Sequence, residues 1–181
     1  MSTLPVILLL SGSLRAGSTN EAVLRTARAV ARDLGVRTLF YPGLADLPHF
    51  NPDDDTDPLP AEVAGLRGAI ARATGVLVCT PEYAGTLPGS FKNLLDWTVG
   101  GTEICDKPVG WVTAAAPGRG QGAEDTLRTV LGYTGAAVTE AACVRIPVQQ
   151  AMIGSDGLVD DPDVRRRLGE VLRTLTAQEG R

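Results

Sequence analysis

The sequence predicts an α/β fold: a doubly wound parallel sheet of five strands in the order 2-1-3-4-5, with residues 1–181 forming one domain. Three observations lead there. Short apolar runs alternate with amphipathic helical patterns five times along the chain. The first run is continuous rather than alternating, as expected of a central strand covered on both faces. The loops with unusual composition follow the first, third and fourth runs, and right-handed crossovers in this strand order bring those loops together on one edge of the sheet.

Taken in order, Leu4 to Leu10 is the first strand, and the loop SGSLRAGSTN follows at its carboxyl end. A helix from Thr19 to Leu34 places Val23, Ala27, Val30 and Leu34 on one face and ends at Gly35. Val36 to Tyr41 is the second strand. Residues 42–60 are too polar for a core element and too long for a plain connection, so they form a functional or a loosely ordered loop. Ala61 to Ala73 is the second helix and Val76 to Cys79 the third strand. The next helix opens on Pro88 and Gly89, groups Phe91, Leu94 and Leu95 on one face, and sets Lys92 and Asp96 four apart on its surface. Pro108 to Thr113 is the fourth strand, and the loop AAAPGRGQGA leads into a helix carrying Leu127, Val130 and Leu131. A fifth strand falls between Ala136 and Ile146. The last helix starts at Asp161 and Pro162 and buries Val164, Leu168, Val171, Leu172 and Leu175. The strand order is the flavodoxin-like one, preferred over a Rossmann order because it gathers the three unusual loops.

Composition narrows the function classes. With 21 acidic and 17 basic residues the formal charge is -4, which offers no general basic surface to nucleic acid or to an anionic membrane. Small molecules or proteins are the expected partners. Three widely spaced cysteines make neither a disulfide framework nor a C-x-x-C pair, and this favours a reducing compartment. The apolar run Val6 to Leu10 has no basic residue before it and is too short to span a bilayer. The expectation is a soluble cytoplasmic protein.

Ser11 to Asn20 has the make-up of an anion site. It joins a strand to a helix N-terminus, where unpaired amides and the helix dipole favour negative charge, and Gly12 and Gly17 let the backbone curl. Ser13, Ser18, Thr19 and Asn20 add neutral donors, and Arg15 adds a cation able to make two contacts to phosphate. Neither GxxxxGK[ST] nor GxGxxG is present, which argues against a nucleoside triphosphatase or an ordinary dinucleotide site. Ser18 with Glu21 also forms a capping-box pattern that would satisfy the helix end without a ligand, so both readings stand at this point. In the loop after the third strand, Pro81, Glu82, Tyr83 and Gly85 place an aromatic and a permissive backbone where a plain turn would serve.

GSLRAGSTN after the first strand, ADLPHFNPD after the second and PEYAGTLPGSFKNLLDW after the third resemble the NADPH-dependent FMN reductase family, which includes quinone, chromate and azo-dye reductases. The resemblance implies that the first loop holds the phosphate of FMN through Ser13, Arg15, Ser18, Thr19 and Asn20. It implies that Pro81, Glu82, Tyr83, Ala84 and Gly85 lie along the flavin ring, and that Ala116, Pro117 and Gly118 of the fourth-strand loop serve it as well. Two departures stand out. Ala84 occupies a position where the family commonly has asparagine, and Ala114, Ala115 and Ala116 replace a stretch where relatives often carry serine, leaving backbone amides and Thr113 to face the ring. By resemblance NADPH, or NADH in its place, is the hydride donor, and a quinone, free flavin or similar small molecule is the acceptor, with ping-pong turnover. Relatives form dimers or dimers of dimers, and the helix after Pro88 and the stretch Gly132 to Gly135 are the expected contacts.

The remaining residues have plainer readings. Tyr83 walls a planar ligand or packs on the sheet edge. Glu82 is a positioning group, since hydride chemistry at a flavin needs no general acid or base. His49 has no partner at ligand spacing, so no metal is expected. Asp53, Asp54 and Asp55 read as a solvated charge run, Trp97 and Trp111 as core or subunit contacts, Cys79 and Cys143 as packing, and Cys105 as a modestly reactive thiol. The functional expectation is an FMN-dependent oxidoreductase without a catalytic side chain of its own. The first alternative is a flavin-binding electron-transfer or regulatory module without turnover, and the second, resting on the capping-box pattern, is a ligand-free flavodoxin-like interaction domain.

Overall fold

The computed structural model describes residues 5–177 of the 181-residue chain. Five parallel strands run in the order 2-1-3-4-5: β1 (Val6–Ser11), β2 (Arg37–Phe40), β3 (Gly75–Cys79), β4 (Pro108–Thr113) and β5 (Ala137–Arg145). Between and after them come α1 (Thr19–Asp33), α2 (Ala61–Arg72), α3 (Gly89–Asp96), α4 (Gln121–Tyr133) and α5 (Pro162–Thr176). Each element starts within two residues of its expected place except α4, which begins at Gln121 inside the loop expected to run to Ala123. Leu4, expected in the first strand, lies outside the described residues. Pro88 is the residue before α3 rather than its first: its backbone is extended, and its carbonyl accepts from the N–H groups of Phe91 and Lys92.

Both faces of the sheet are covered, which is why the central strands need no polar residues. Leu8, Leu10, Val76 and Val78 point to the side packed by α2, α3 and α4. Ile7, Leu9, Leu77 and Cys79 point to the side packed by α1 and α5. Successive strand residues alternate between two apolar layers, so the period-2 signal vanishes into a continuous run. The α5 face works the same way at helical spacing: Val164, Leu168, Val171, Leu172 and Leu175 are all buried, and Asp161 caps the helix by accepting from the N–H groups of Asp163 and Val164.

The segment 42–60 is ordered by α3. It forms two short 3-10 turns, Gly43–Ala45 and Pro52–Asp54, and buries Leu44 and Leu47. The Asn93 side chain donates to the Pro48 carbonyl and accepts from the Phe50 N–H, both at 2.8 Å. The Trp97 indole donates to the same carbonyl at 2.8 Å, and its ring meets Phe50 edge-on with centroids 5.0 Å apart. Trp97 and Trp111 are core residues, 0% and 2% exposed.

Asp55 departs from the expected solvated run. Its carboxylate pairs with Arg67 at 2.7 Å with both side chains nearly closed off from water, and Arg67 Nε donates to the Trp97 carbonyl at 2.9 Å. Asp53 and Asp54 remain exposed. Lys92 and Asp96 form the expected pair along α3. No helix among the described residues is long and apolar enough to cross a membrane.

Candidate functional site

The carboxyl ends of β1, β3 and β4 border a cleft of about 330 Å³. Thr19 and Asn20 line it from the first loop, Thr80, Pro81 and Glu82 from the third, and Ala114 to Ala116, Arg119 and Gly120 from the fourth. A second hollow of about 280 Å³ lies on the β2 side of the first loop and is lined by Ser13, Leu14, Arg15, Glu21 and Tyr41 among others. The first-loop residues are thus divided: Ser13 and Arg15 face one hollow, Thr19 and Asn20 the other, with Ser18 buried between them.

The first loop is half a capping box. Ser18 accepts from the Glu21 N–H at 3.1 Å, but the Glu21 carboxylate accepts from the Gly17 N–H at 3.2 Å instead of returning to Ser18. Glu21 also sits 3.7 Å from Arg25. Glu21 lines the same hollow as Ser13 and Arg15 and does not line the cleft of Thr19 and Asn20. Ser11 and Ser13 hydroxyls accept from the N–H groups of Ser13 and Arg15. Among the described residues the N–H groups of Leu14, Ala16, Thr19 and Asn20 have no partner, and the last two are the first amides of α1. The Asn20 amide oxygen accepts from the Cys79 thiol at 3.4 Å, which leaves its NH₂ as a donor. Burial pushes the Cys79 thiol well above its usual range, so it stays protonated and inert. Tyr41 is pushed up to about 12 by burial and by the carboxylates of Asp46 and Glu62, and it faces the second hollow as a neutral hydroxyl.

Tyr83, Ala84 and Gly85 do not line the cleft; with Thr86 they make a tight two-residue turn beside it. The Tyr83 N–H donates to the Thr86 carbonyl at 2.9 Å and the Thr86 N–H to the Tyr83 carbonyl at 3.1 Å. Ala84 and Gly85 have φ of 50° and 77°, the left-handed pair of a type I′ turn. Asn-Gly is the preferred sequence for that turn, which gives the asparagine that the family resemblance implies at this position a backbone reason. Alanine there carries strain. Ala84→Asn is therefore expected to stabilise the fold by about 0.5–1 kcal/mol, read as a shift in the denaturation midpoint at constant slope. Tyr83 is 56% exposed at the rim.

The fourth-strand loop is held by Glu124, Arg145 and Gln121, none of which stands out in the sequence. The Thr113 hydroxyl donates to Glu124, so it is not free to face a ring as expected. Glu124 in turn pairs with Arg145 at 2.8 Å, and Arg145 donates to the Arg119 carbonyl and to the Gln121 side chain, both at 2.8 Å. This chain of contacts fixes the loop across Ala116, Pro117 and Gly118, of which Ala116 alone lines the cleft. The three-way bonding of Arg145 joins residues over 20 apart in sequence, and nothing in the local pattern marks it. Glu82 accepts from the Gly122 N–H at 2.8 Å, so its carboxylate fills the N-terminus of α4 from a different loop.

A flavodoxin-like sheet with an open helix N-terminus and a cleft at the strand switch point is the architecture in which α/β proteins commonly hold anionic ligands. Residues 5–151 match the family described as NADPH-dependent FMN reductase, and the chain belongs to that family. It is 39% identical over 104 residues to a quinone reductase of Escherichia coli, a match covering 57% of this chain and 53%, about half, of that enzyme. Over 98% of its length it is 28% identical to 95% of an NAD(P)H:quinone oxidoreductase of Solanum tuberosum. Among solved structures, FerB of Paracoccus denitrificans, a flavoenzyme NAD(P)H:(acceptor) oxidoreductase, superposes with a TM-score of 0.81 at 26% identity over 96% of both chains. A flavodoxin from Pseudomonas aeruginosa shares the fold alone, with a TM-score of 0.60 and 18% identity over 94% of this chain and 99% of that one.

Proposed function

We propose that the chain is an FMN-dependent oxidoreductase that passes hydride from NADPH, or NADH in its place, through bound FMN to a small acceptor such as a quinone or free flavin. One observation carries the placement of the cofactor. Two helix N-termini reach the cleft; Glu82 already fills that of α4, whereas α1 keeps the N–H groups of Thr19 and Asn20 free there, with Ser13 and Arg15 of the same loop turned to the hollow on the β2 side. A phosphate dianion fits the second and is repelled by the carboxylate at the first. Glu21 does not line the cleft of Thr19 and Asn20, and the Gly17 N–H and Arg25 at 3.7 Å offset part of its charge. The ring would then be held between Pro81 and Glu82 on one side and Ala114 to Ala116 on the other, with Tyr83 to Gly85 and Pro117 to Gly118 beside the cleft rather than in it.

FMN, when bound, supplies the two-electron chemistry. The chain's part is to hold the phosphate, present backbone groups to the ring and leave one face open. No side chain in the cleft is required as an acid or base. The quinone reductase names of the relatives support the acceptor class. The three cysteines are unpaired, which fits a reducing, cytoplasmic setting. A homodimer or homotetramer is supported by the exposed Tyr133, 91% accessible in the stretch before Gly135, and by Val99 at 63%; sedimentation of the purified protein reads it directly.

The deciding experiment is the visible spectrum of purified protein supplied with FMN, followed by NADPH without oxygen. Bleaching of bound flavin and turnover with a quinone are the expected outcome. Flavin that binds without bleaching points to the electron-transfer module, and protein that takes up no FMN overturns the assignment. Turnover is expected to be ping-pong, because a flavin with one open face would take donor and acceptor in turn; intersecting double-reciprocal lines at several acceptor concentrations would show a ternary complex instead. Arg15→Ala is expected to weaken FMN binding by about 1.5–3 kcal/mol with little loss of stability, since the side chain is exposed and its one contribution is a charge-assisted bond. Fluorescence titration of the apoprotein measures it.

A further inference from the structure

We propose that Glu82 is a positioning residue: it clamps the 81–86 turn onto the first turn of α4 and so sets the width of the cleft between Pro81 and the Ala115–Gly120 loop. This rests on reading that cleft as the flavin site. Three contacts carry it. Gly120, at the N-cap of α4, has a left-handed φ of 87° and no side chain to cap the helix. Glu82 Oε2 supplies the missing acceptor from 40 residues away, at 2.8 Å from the Gly122 N–H and 3.4 Å from the Ala123 N–H, the two amides that a capping side chain normally satisfies. The Gly85 carbonyl then lies so close to α4 that a Cβ on Gly122 would meet its oxygen at 1.9 Å and its carbon at 2.6 Å. One helical turn further on, the Thr86 and Thr126 hydroxyls are 2.8 Å apart.

These contacts join residues 82, 85 and 86 of one wall to residues 122, 123 and 126 of the other. The cleft has Pro81 and Glu82 on the first wall and Ala114 to Ala116, Arg119 and Gly120 on the second, so its width follows from the clamp. Glu82 is held as an acceptor by two amides and acts through them, which is a different role from a proton donor.

The test is FMN affinity, by flavin fluorescence, on Glu82→Ala, Glu82→Gln, Gly122→Ala and the Glu82→Ala/Gly122→Ala double variant, with thermal midpoints alongside. Gly122→Ala keeps α4 intact, because alanine favours helix, yet forces the turn outward. Each of the two alanine variants is expected to raise the FMN dissociation constant about tenfold, the loss typical of one half-buried, charge-assisted contact. Glu82→Gln keeps an acceptor oxygen and is expected to stay within about threefold of wild type, losing the charge's interaction with the helix dipole. The double variant is expected to be no worse than the weaker single one, since both break one clamp. Wild-type affinity in a folded Glu82→Ala protein, or losses that simply add, would overturn the proposal. A wild-type protein that binds no FMN would overturn the flavin reading instead. The clamp is then read by hydrogen exchange, where Glu82→Ala must speed exchange at the Gly122 and Ala123 amides and unchanged rates would sink it.

Discussion

Replacing Arg67 with alanine is expected to destabilise the fold by about 3–5 kcal/mol, the cost of breaking a buried ion pair from one side. Arg67 is 7% exposed, pairs with Asp55 at 2.7 Å and donates to the Trp97 carbonyl at 2.9 Å. Removing it strands two groups at once, a carboxylate almost out of water and a carbonyl at the end of α3. Gly100 and Gly101 leave no room for the pair to rearrange: a Cβ on Gly100 would overlap the Asp55 carboxylate at 1.8 Å, and one on Gly101 would sit 3.1 Å from Arg67 Nε. Urea denaturation of Arg67→Ala, Asp55→Ala and the double variant separates the terms. The double variant should lose less than the sum of the singles, because deleting both partners leaves no buried charge unpaired. Additive losses would mean that each side chain matters for packing alone.

The sheet was legible because its signals are local. Five apolar runs, the caps at Ser18 and Asp161, and glycine at the end of α1 are each read within a few residues, and strand order follows from handedness and the position of the unusual loops. What stayed hidden was non-local and polar. Asp55 reads as the end of an acidic run until Arg67, on the next helix, folds over it. Asn93 and Trp97 look like surface and core residues of α3, yet they fix the segment 42–60 through the Pro48 carbonyl. Thr113 looked available because its partner Glu124 is 11 residues on, in a different element. The third loop shows both outcomes within five residues. Its departure from the family at Ala84 was visible in the sequence, whereas the left-handed turn that explains it, and the bond from Glu82 to α4, required the backbone.

Gly12→Ala is expected to damage both the fold and the site, lowering stability by about 1–3 kcal/mol and reducing FMN affinity in whatever protein remains folded. The glycine sits where the first and third loops leave the sheet: its N–H donates to the Cys79 carbonyl at 2.9 Å, one step beyond the pairing of Ser11 with Cys79. A Cβ there would lie 2.0 Å from Thr80 Oγ1, 2.4 Å from Thr80 Cβ and 3.0 Å from Thr80 Cα. The hydroxyl can rotate away, but the other two atoms cannot, so the backbones of the two loops must separate. That separation moves Thr19 and Asn20 relative to Pro81 and Glu82, the residues that face one another across the cleft. Glycine is required here for close approach rather than for a left-handed backbone, in contrast with Gly85. The distinction is testable with Thr80→Gly, which removes the opposing Cβ. Combined with Gly12→Ala it is expected to recover part of the lost affinity, even though Thr80→Gly alone weakens the strand end. Denaturation midpoints and FMN titrations on the two single variants and the double variant measure both effects; a Gly12→Ala protein with wild-type values in each would show that the two loops are not in contact there.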